Sequence, residues 1–399
     1  MNDRLNDSLR CFCQRGDLAG QAGFLTSTRR HIHQHPELSF QEAGTAALVA
    51  EHLEEWGWQV TRNVGGHGVV GTLKLGSGTK AIAVRADMDA LPISEATGTA
   101  WASGNPGVMH ACGHDGHTTM LLGAARALAE SKDFSGTVHL VFQPAEEDGA
   151  PSGAQCMIND GLFERFPCDA IFGLHNTPGV PAGHFGFASG PFMSASDRAD
   201  ITIHGRGGHA ARPHQAVDPI LIAGSLVVAL QSVVARNIDP RQTAVVTIGA
   251  LHAGHANNVI PDEATMALSI RSFDAEVRDT LQRRITDLVT SHVQGYGGTV
   301  TIDYKRGYPV CVNSAAETEF ARQVAEELVG PQQVIAPFPP VTGSEDFAYY
   351  LLHKPGCFLR LGNGVEGASL HNPKYDFNDQ ILTVGAEYWT RLVQRYLTD

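Results

Sequence analysis

The chain has 399 residues, 43% of them hydrophobic and 18% charged, which is the composition of a folded globular protein and enough length for two domains. Its formal net charge is -13. That charge argues against nucleic acid as a partner, because phosphate binding needs a basic surface. It leaves open an anionic small substrate, which one or two local arginines can bind.

The N-terminus and the cysteines predict a cytoplasmic protein that contacts no membrane. No segment approaches the roughly 18 unbroken apolar residues of a membrane helix, and the N-terminal residues carry charges where a signal peptide has an apolar core. Seven cysteines favour free thiols in a reducing compartment over a disulfide framework. Cys11 and Cys13 lie in a polar leader, and we interpret them as exposed residues rather than as a metal site.

The N-terminal half alternates helices with short apolar strands. Residues 39–56 have alanines and a leucine on one stripe and glutamates elsewhere, which predicts an amphipathic helix. Apolar strands are predicted at 81–84, 138–142 and 170–174, and a helix at 117–129. Strands that alternate with helices in this way predict an α/β sheet with much parallel character.

Each of the three apolar strands runs into an acid or a histidine. Asp87 and Asp89 follow the first strand, Glu146 and Glu147 follow the second, and His175 ends the third. In open α/β sheets, ligands collect beyond the carboxyl ends of the strands. We therefore expect these side chains to converge on one edge of the sheet although they are far apart in sequence.

From about residue 192 the pattern changes to β-α-β-β-α-β, the ferredoxin-like order. Its segments are 201–203, 217–234, 244–248, 265–271, 277–292 and 300–304. Helices resume at 318–328 and 382–397. The predicted fold class is α/β. We predict an α/β domain with a mixed, largely parallel sheet over residues 1–191 and 307–399, and an inserted ferredoxin-like α+β domain over residues 192–306.

The densest group of reactive side chains lies at 109–117, immediately before a predicted helix. It holds one cysteine, three histidines and one aspartate. Cys112 and His114 place a thiol and an imidazole on one tight loop, and a helix N-terminus favours the ionised thiolate. A loop of polar caps around a buried cysteine is the alternative. The other ligand types expected at the same edge favour a metal site.

Glu146, Glu147, His175 and His371 complete a candidate site. One of two adjacent carboxylates can bind metal while the other takes a proton from water, although such a pair alone is usually a solvated turn. Either histidine alone is more often structural. With Cys112 and His114, these two histidines and Glu147 give one thiolate, three imidazoles and one carboxylate, a set that suits zinc first, then manganese, cobalt or nickel. Because it exceeds the four ligands of one closed zinc site, we expect two divalent ions per chain, about 3.5–4 Å apart.

Six ordered motifs make the chain resemble the aminoacylase/hippurate hydrolase family, which includes the indole-acetyl-amino-acid hydrolases. The motifs are 33–40, 85–92, 109–117, 142–147, 173–175 and 207–214. The resemblance runs from about residue 25 to the C-terminus. It implies a dinuclear catalytic domain with an inserted lid that often dimerises, and hence a homodimer or homotetramer.

The resemblance also implies a role for each matching residue. The implied metal ligands are Cys112, His114, Glu147, His175 and His371. Glu146 is the implied general base, and His209 would bind the developing oxyanion. Asn258 and Arg271 resemble positions that hold the substrate carboxylate, for which amide and guanidinium groups are suitable donors. The alternatives are a surface salt bridge for Arg271 and a structural role for His209.

The chain departs from wider relatives, which have His-x-Asp where it has Asp87-Met-Asp89. Asp89 is then predicted to orient a ligand, while Cys112 and His114 take over ligation. The predicted function is metal-dependent cleavage of N-acyl-L-amino acids, hippurate-like or N-acetyl, to a carboxylic acid and an amino acid. Alternatives are a dipeptidase or carboxypeptidase with the same metal chemistry and, more remotely, a non-catalytic metal-binding or redox-sensing protein.

Overall fold

A computed structural model of the protein describes residues 18–398, so the leader cysteines Cys11 and Cys13 lie outside the described residues. The α-helices are α1 (Ala22–Gln34), α2 (Ala43–Glu55), α3 (His114–Ser131), α4 (Gly153–Asn159), α5 (Leu162–Arg165), α6 (Pro219–Asn237), α7 (Ala275–Gly295), α8 (Ala315–Val329), α9 (Phe347–Leu351) and α10 (Leu382–Tyr396). Short 3₁₀ turns occur at Ala19–Gln21, Pro213–Gln215, Pro331–Gln333 and Asp379–Ile381.

The strands are interleaved with these helices along the chain. They are β1 (Gln59–Val64), β2 (Gly68–Leu75), β3 (Ala81–Asp87), β4 (Gly136–Gln143), β5 (Ala170–Pro178), β6 (Phe185–Gly186), β7 (Gly190–Met193), β8 (Ala195–His204), β9 (Gly208–His209), β10 (Ala244–Ala253), β11 (Val259–Ile260), β12 (Glu263–Ser272), β13 (Thr299–Arg306), β14 (Cys311–Asn313), β15 (Val334–Ile335) and β16 (Gly356–Gly364).

The chain divides into two compact units. Unit 1 runs from the first described residue to Gly190 and continues over Val312–Pro339 and from Asp346. Unit 2 comprises Pro191–Cys311 and the short segment Pro340–Glu345. The sequence pattern does not predict that this second segment belongs to unit 2. Its six residues form neither a helix nor a strand, and they lie between elements of unit 1.

Unit 1 is built on an eight-stranded sheet in the order β1-β2-β4-β3-β5-β16-β6-β15. The central strands β4, β3, β5 and β16 are parallel to one another. On one side, β2 pairs antiparallel with β4 and β1 pairs antiparallel with β2. On the other side, β6 pairs antiparallel with β16. Helix α3 is buried along nearly its whole length and packs against α10. Strands buried on both faces read as continuous apolar runs. The predicted mixed, largely parallel α/β sheet is confirmed.

Unit 2 is a four-stranded antiparallel sheet in the order β10-β12-β8-β13, with α6 and α7 following β8 and β12 along the chain. Alternate residues of β12 are buried, so one face of the strand meets the core. Helix α7 is amphipathic, with Val277, Leu281, Ile285 and Val289 buried in that core. A separate pair of short strands, β9 and β11, forms a two-stranded ribbon.

Helix α6 is the one helix among the described residues that is long and apolar enough to cross a membrane by length and composition. The sequence criterion of an unbroken apolar run overlooked it, because Gly224, Ser225 and Gln231 interrupt the run. Its inner face, with Leu226 and Leu230 fully buried, packs in the core of unit 2. Core helices of globular proteins pass the same composition test, so this helix is weak support for a membrane role.

Candidate metal centre

The loop before α3 carries the thiol of Cys112, and the imidazole of His114 follows two residues later. Gly113 has φ 103, and a Cβ there would lie 2.3 Å from Oδ1 of Asn176, so only glycine fits. Helix α3 begins at His114, three residues earlier than the predicted start at 117. His114 is therefore a fully buried residue of the first helical turn, and its position is fixed by the helix.

Donor atoms of all five predicted ligands meet in overlapping groups. Sγ of Cys112 lies 3.2 Å from Nε2 of His175. In each group of three, every donor atom lies within 4.8 Å of the others, and the groups are Cys112–His114–His175, Cys112–Glu147–His371 and His114–Glu146–Glu147. The edge predicted from the strand ends thus exists as a cluster of side chains. Strand β5 continues past His175 to Pro178, so this histidine projects from within a strand.

The exposed side of the cluster is formed by Glu147 and His371. Nε2 of His371 lies 3.1 Å from Oε1 of Glu147, and the His371 side chain is 52% exposed against 15% for Glu147. His371 has φ 63, in the left-handed region that non-glycine residues rarely occupy, and its backbone N–H donates to the carbonyl of Ala111 at 2.8 Å. That hydrogen bond ties the His371 loop to the Cys112 loop.

Asp89, which was predicted to orient a ligand, lies beside His114. Nδ1 of His114 is 2.8 Å from the carbonyl oxygen of Asp89 and 3.2 Å from its Oδ1. The Asp89 carboxylate also accepts the hydroxyl of Ser39 at 2.7 Å and the backbone N–H of Glu147 at 3.0 Å. Because Nδ1 is engaged in this way, Nε2 is the nitrogen of His114 that faces the other donors.

The charges in the cluster favour a cation. Burial, and then the carboxylates of Glu147 and Glu146, raise the pKa of the Cys112 thiol well above its usual value. The helix N-terminus was predicted to favour the thiolate, but burial and nearby negative charge act in the opposite direction and outweigh it. Burial acts to lower the pKa of His114, but the carboxylates of Asp87 and Asp89 outweigh it and raise that pKa to about 10.

These residues fit a divalent metal. A thiol, imidazoles and carboxylates within 4.8 Å of one another are the donor types of zinc and neighbouring transition metals. Nε2 of His114 is buried and has no hydrogen-bond partner among residues 18–398, so a metal ion that displaces its proton can bind there. Positive charge there would stabilise the Cys112 thiolate and offset the repulsion between Glu146 and Glu147.

A second layer of buried polar residues supports the cluster, and among them only Asp87 was expected at this edge of the sheet from the sequence. Nδ1 of His117 lies 2.7 Å from Asp87, which also accepts a hydrogen bond from Arg85 at 2.7 Å. Nε2 of His117 accepts the backbone N–H of Asn176 at 3.0 Å, and the Asn176 amide donates to Tyr375 at 2.6 Å. His117 stands in the dense 109–117 motif, which was the available signal, but only the fold shows that it braces the backbone next to His175.

The three predicted substrate contacts all lie in unit 2. His209 and Asn258 are exposed neighbours on the β9–β11 ribbon, where the N–H of Ala210 donates to the carbonyl of Asn258 at 3.0 Å. Arg271 is half-buried near the far end of β12. Burial lowers the pKa of Arg271, and Asp197 acts in the opposite direction.

Comparison with known proteins now gives the class. Residues 83–395 match Peptidase family M20/M25/M40. A hippurate hydrolase of Campylobacter jejuni is 44% identical over 381 residues, which cover 96% of this chain and 98% of that protein. An N-acetyl-L-cysteine deacetylase of Bacillus subtilis is 42% identical over 366 residues, which cover 92% of this chain and 86% of that protein. A dinuclear metal-binding peptidase of the M20 family from Bacillus subtilis has a TM-score of 0.83 at 34% identity, over 96% of this chain and 99% of that one.

The chain belongs to this peptidase family, and the resemblance predicted from its motifs is confirmed. It is a metal-dependent amidohydrolase.

Proposed function

We propose that the enzyme cleaves the amide bond of N-acyl-L-amino acids, with hippurate-like or N-acetyl compounds as substrates. The observation that carries the proposal is the buried carboxylate of Glu146, which lies within 4.8 Å of donor atoms of His114 and Glu147. A carboxylate beside a metal cluster is placed to move protons between water and the leaving amine. The substrate class rests on the relatives named above.

We propose two divalent ions per chain, zinc first and manganese, cobalt or nickel as alternatives. The groups Cys112–His114–His175 and Cys112–Glu147–His371 share one thiol, which supports a ligand common to both ions. When bound, such ions lower the pKa of water and polarise the substrate carbonyl. His114 and His175 would hold them from the buried side, and Glu147 and His371 from the exposed side.

The remaining roles follow from the chemistry of each side chain. Glu146 accepts the proton of the attacking water and returns it to the leaving nitrogen. His209 would donate a hydrogen bond to the tetrahedral oxyanion, and Asn258 with Arg271 would bind the substrate carboxylate. Supporting this, the carbonyl of Asn258 already fixes the strand that carries His209.

The positions of these residues within unit 2 support a homo-oligomer. The β9–β11 ribbon connects to β12 at Glu263, whereas Arg271 lies eight residues further along that strand. At about 3.3 Å per residue, this separation is roughly 26 Å along the strand. One small substrate does not span that length. We therefore propose that a second copy of the chain supplies the ribbon to the site that uses Arg271.

The surface of unit 2 offers a place for that second copy. Strand β10 is an edge strand of ten residues that contains neither proline nor a charged side chain, and such edges pair readily with another strand. The neighbouring helix α6 exposes Leu221 at 58% and Val228 at 73%. Covering both features with the same surface of a partner would give a two-fold symmetric dimer.

Replacing Val228 by Asp is expected to weaken this dimer, since the interface would bury an unpaired charge. We expect the dimer dissociation constant to rise at least about tenfold, which corresponds to about 1.4 kcal/mol. Sedimentation of wild type and V228D over a concentration series measures it. V365D is the matched control, because Val365 is 67% exposed on a loop of unit 1. Equal association of all three proteins would contradict the proposed interface.

Turnover of a substrate panel tests the proposed function. Apo-enzyme is reloaded separately with zinc, manganese, cobalt and nickel, and release of free amine is measured on hippurate, N-acetyl amino acids and dipeptides. We expect cleavage of the N-acyl amino acids. Faster cleavage of substrates with a free α-amino group would instead support the dipeptidase or carboxypeptidase reading. Absence of amide cleavage with all four metals would overturn the proposal.

A further inference from the structure

Glu42 is a buried acid for which the proposed chemistry has no use. It occupies the N-cap position of α2, yet its side chain makes no capping hydrogen bond. Glu37 caps the helix instead, because its carboxylate accepts the backbone N–H groups of Gly44 and Thr45 at 2.8 Å each. Glu42 itself is 0% exposed. Burying a carboxyl group is costly unless its oxygens accept hydrogen bonds.

One oxygen of Glu42 holds two backbone amides. Oε1 accepts the N–H of Phe40 and the N–H of Ala145, both at 2.8 Å. Phe40 and Ala145 have φ values of 61 and 50, in the left-handed region that non-glycine residues occupy when their surroundings impose it. Ala145 immediately precedes the proposed base Glu146, so Glu42 fixes an unusual backbone conformation next to the reacting carboxylate.

The opposite flank of Glu146 is held in the same way. Oδ2 of Asp89 accepts the N–H of Glu147 at 3.0 Å. The amides on both sides of Glu146 are therefore each bound to a buried carboxylate, one at the N-cap of α2 and one in the loop after β3. With both neighbours fixed, the position of the Glu146 backbone is set by two side chains that do not themselves belong to the loop.

The second oxygen of Glu42 indicates whether the loop needs the negative charge of this side chain or only its acceptor oxygen. Oε2 is buried and has no hydrogen-bond partner within residues 18–398. Burial, and then the nearby Asp89, raise the pKa of Glu42 to about 7. A carbonyl oxygen of a neutral acid or an amide accepts the same two N–H bonds as a carboxylate does. What the loop needs at this position is thus an acceptor oxygen at a set distance rather than a negative charge.

We infer that Glu42 is a positioning residue for the general base, and that its Oε1 holds Glu146 at the reacting centre by binding the amide of Ala145. This inference rests on the proposed function, since it takes Glu146 as the base. Misplacing a reacting group by about 1 Å can cost on the order of 10²-fold in rate. The acceptor oxygen of Glu42 is expected to have an effect of that size.

Three substitutions at one position test the inference. E42Q keeps the acceptor at the same distance and removes the charge, whereas E42D keeps the charge and withdraws the acceptor by one methylene. We expect E42Q to lose at most a few-fold in kcat, and E42D to lose on the order of 10²-fold, with little change in KM. E42L, which lacks any acceptor, should lose at least as much as E42D. E51Q is the matched control, because Glu51 is an exposed residue of the same helix.

The readouts separate positioning from mere folding. Turnover is expressed per metal-loaded folded site, and the acidic limb of the pH profile of kcat/KM is recorded for each variant. Displacement of the base should shift that limb in E42D and leave it in place in E42Q and E51Q. If E42L does not fold, the Gln–Asp comparison still decides.

Equal turnover of E42Q and E42D, or the reverse order, would overturn the inference. Failure of the proposed function looks different. Wild-type enzyme would then be inactive on the whole panel, or E146Q would retain full turnover, whatever the Glu42 variants do.

Discussion

Replacing Glu146 by Gln is expected to lower kcat by about 10²–10⁴-fold, the range that general acid–base catalysis contributes. The amide has the shape of the carboxylate but cannot accept a proton from water at neutral pH. Glu146 shares one donor group with His114 and Glu147, but we propose it as the base rather than as a ligand, and neither group that contains Cys112 includes it, so the variant should bind as much metal as the wild type. Steady-state kinetics and metal analysis of the same preparations measure both quantities.

The neighbouring carboxylate provides the control for this experiment. Glu147 lies 3.1 Å from His371 at the exposed side of the cluster, and we propose it as a ligand. E147Q should therefore lose metal as well as activity, whereas E146Q should lose activity alone. Substantial residual turnover in E146Q would exclude its role as the base. Equal metal loss in both variants would mean that the two carboxylates share ligation.

Much of the fold was predictable because the chemistry of the strands is periodic. The apolar runs at 81–84, 138–142 and 170–174 correspond to β3, β4 and β5, the parallel centre of the sheet. The predicted strands are shorter than the observed ones. For example, β5 continues beyond residue 174 to Pro178, through the polar residues Asn176 and Thr177. Pairing with β16 keeps this stretch extended, and a contact with a strand so distant in sequence has no local signature.

The candidate site was predictable in its residue types and less so in its environment. Cys112 and His114 stand close together in sequence, and a thiol and an imidazole at that spacing are a local signal. The roles of Glu42 and His117 have no such signal. Glu42 reaches Ala145 across 103 positions, and His117 reaches Asp87 across 30. The electrostatics of Cys112 likewise have no local signal, because its burial and the carboxylates of Glu147 and Glu146, which raise its pKa, come from the folded structure.

Unit 2 spans slightly more of the chain than the predicted inserted domain. The predicted boundaries at 192 and 306 lie one and five residues inside the span Pro191–Cys311 of unit 2. Whether that unit closes over substrate as a lid stays a prediction. Within unit 1, the donor atoms of the predicted ligands lie in one cluster. That these residues bind metal stays a prediction, which substitution of Cys112 tests.

Replacing Cys112 by Ser is expected to remove metal rather than to perturb the fold. The hydroxyl is similar in size but does not ionise near neutral pH, so the two groups that share this residue both lose their anionic sulfur. Loss of an outer contact to a metal ligand already costs about 10–100-fold in metal affinity, and loss of the ligand should cost more. At a free metal concentration 100 times the wild-type Kd, the metal-dependent stabilisation of about 2.7 kcal/mol should then largely disappear.

Thermal unfolding with and without added zinc measures this effect. Cys168 is a buried free cysteine whose pKa is raised to about 12 by burial, so C168S makes the same chemical change at a buried position outside the cluster. We expect C168S to keep the full rise in Tm on metal addition, and C112S to show little or none. An undiminished rise in C112S would show that the thiol is not a ligand. The anionic donors near His114 would then be Glu146 and Glu147, which share a donor group with it, and Asp87, whose Oδ2 lies 3.6 Å from Nε2 of His114.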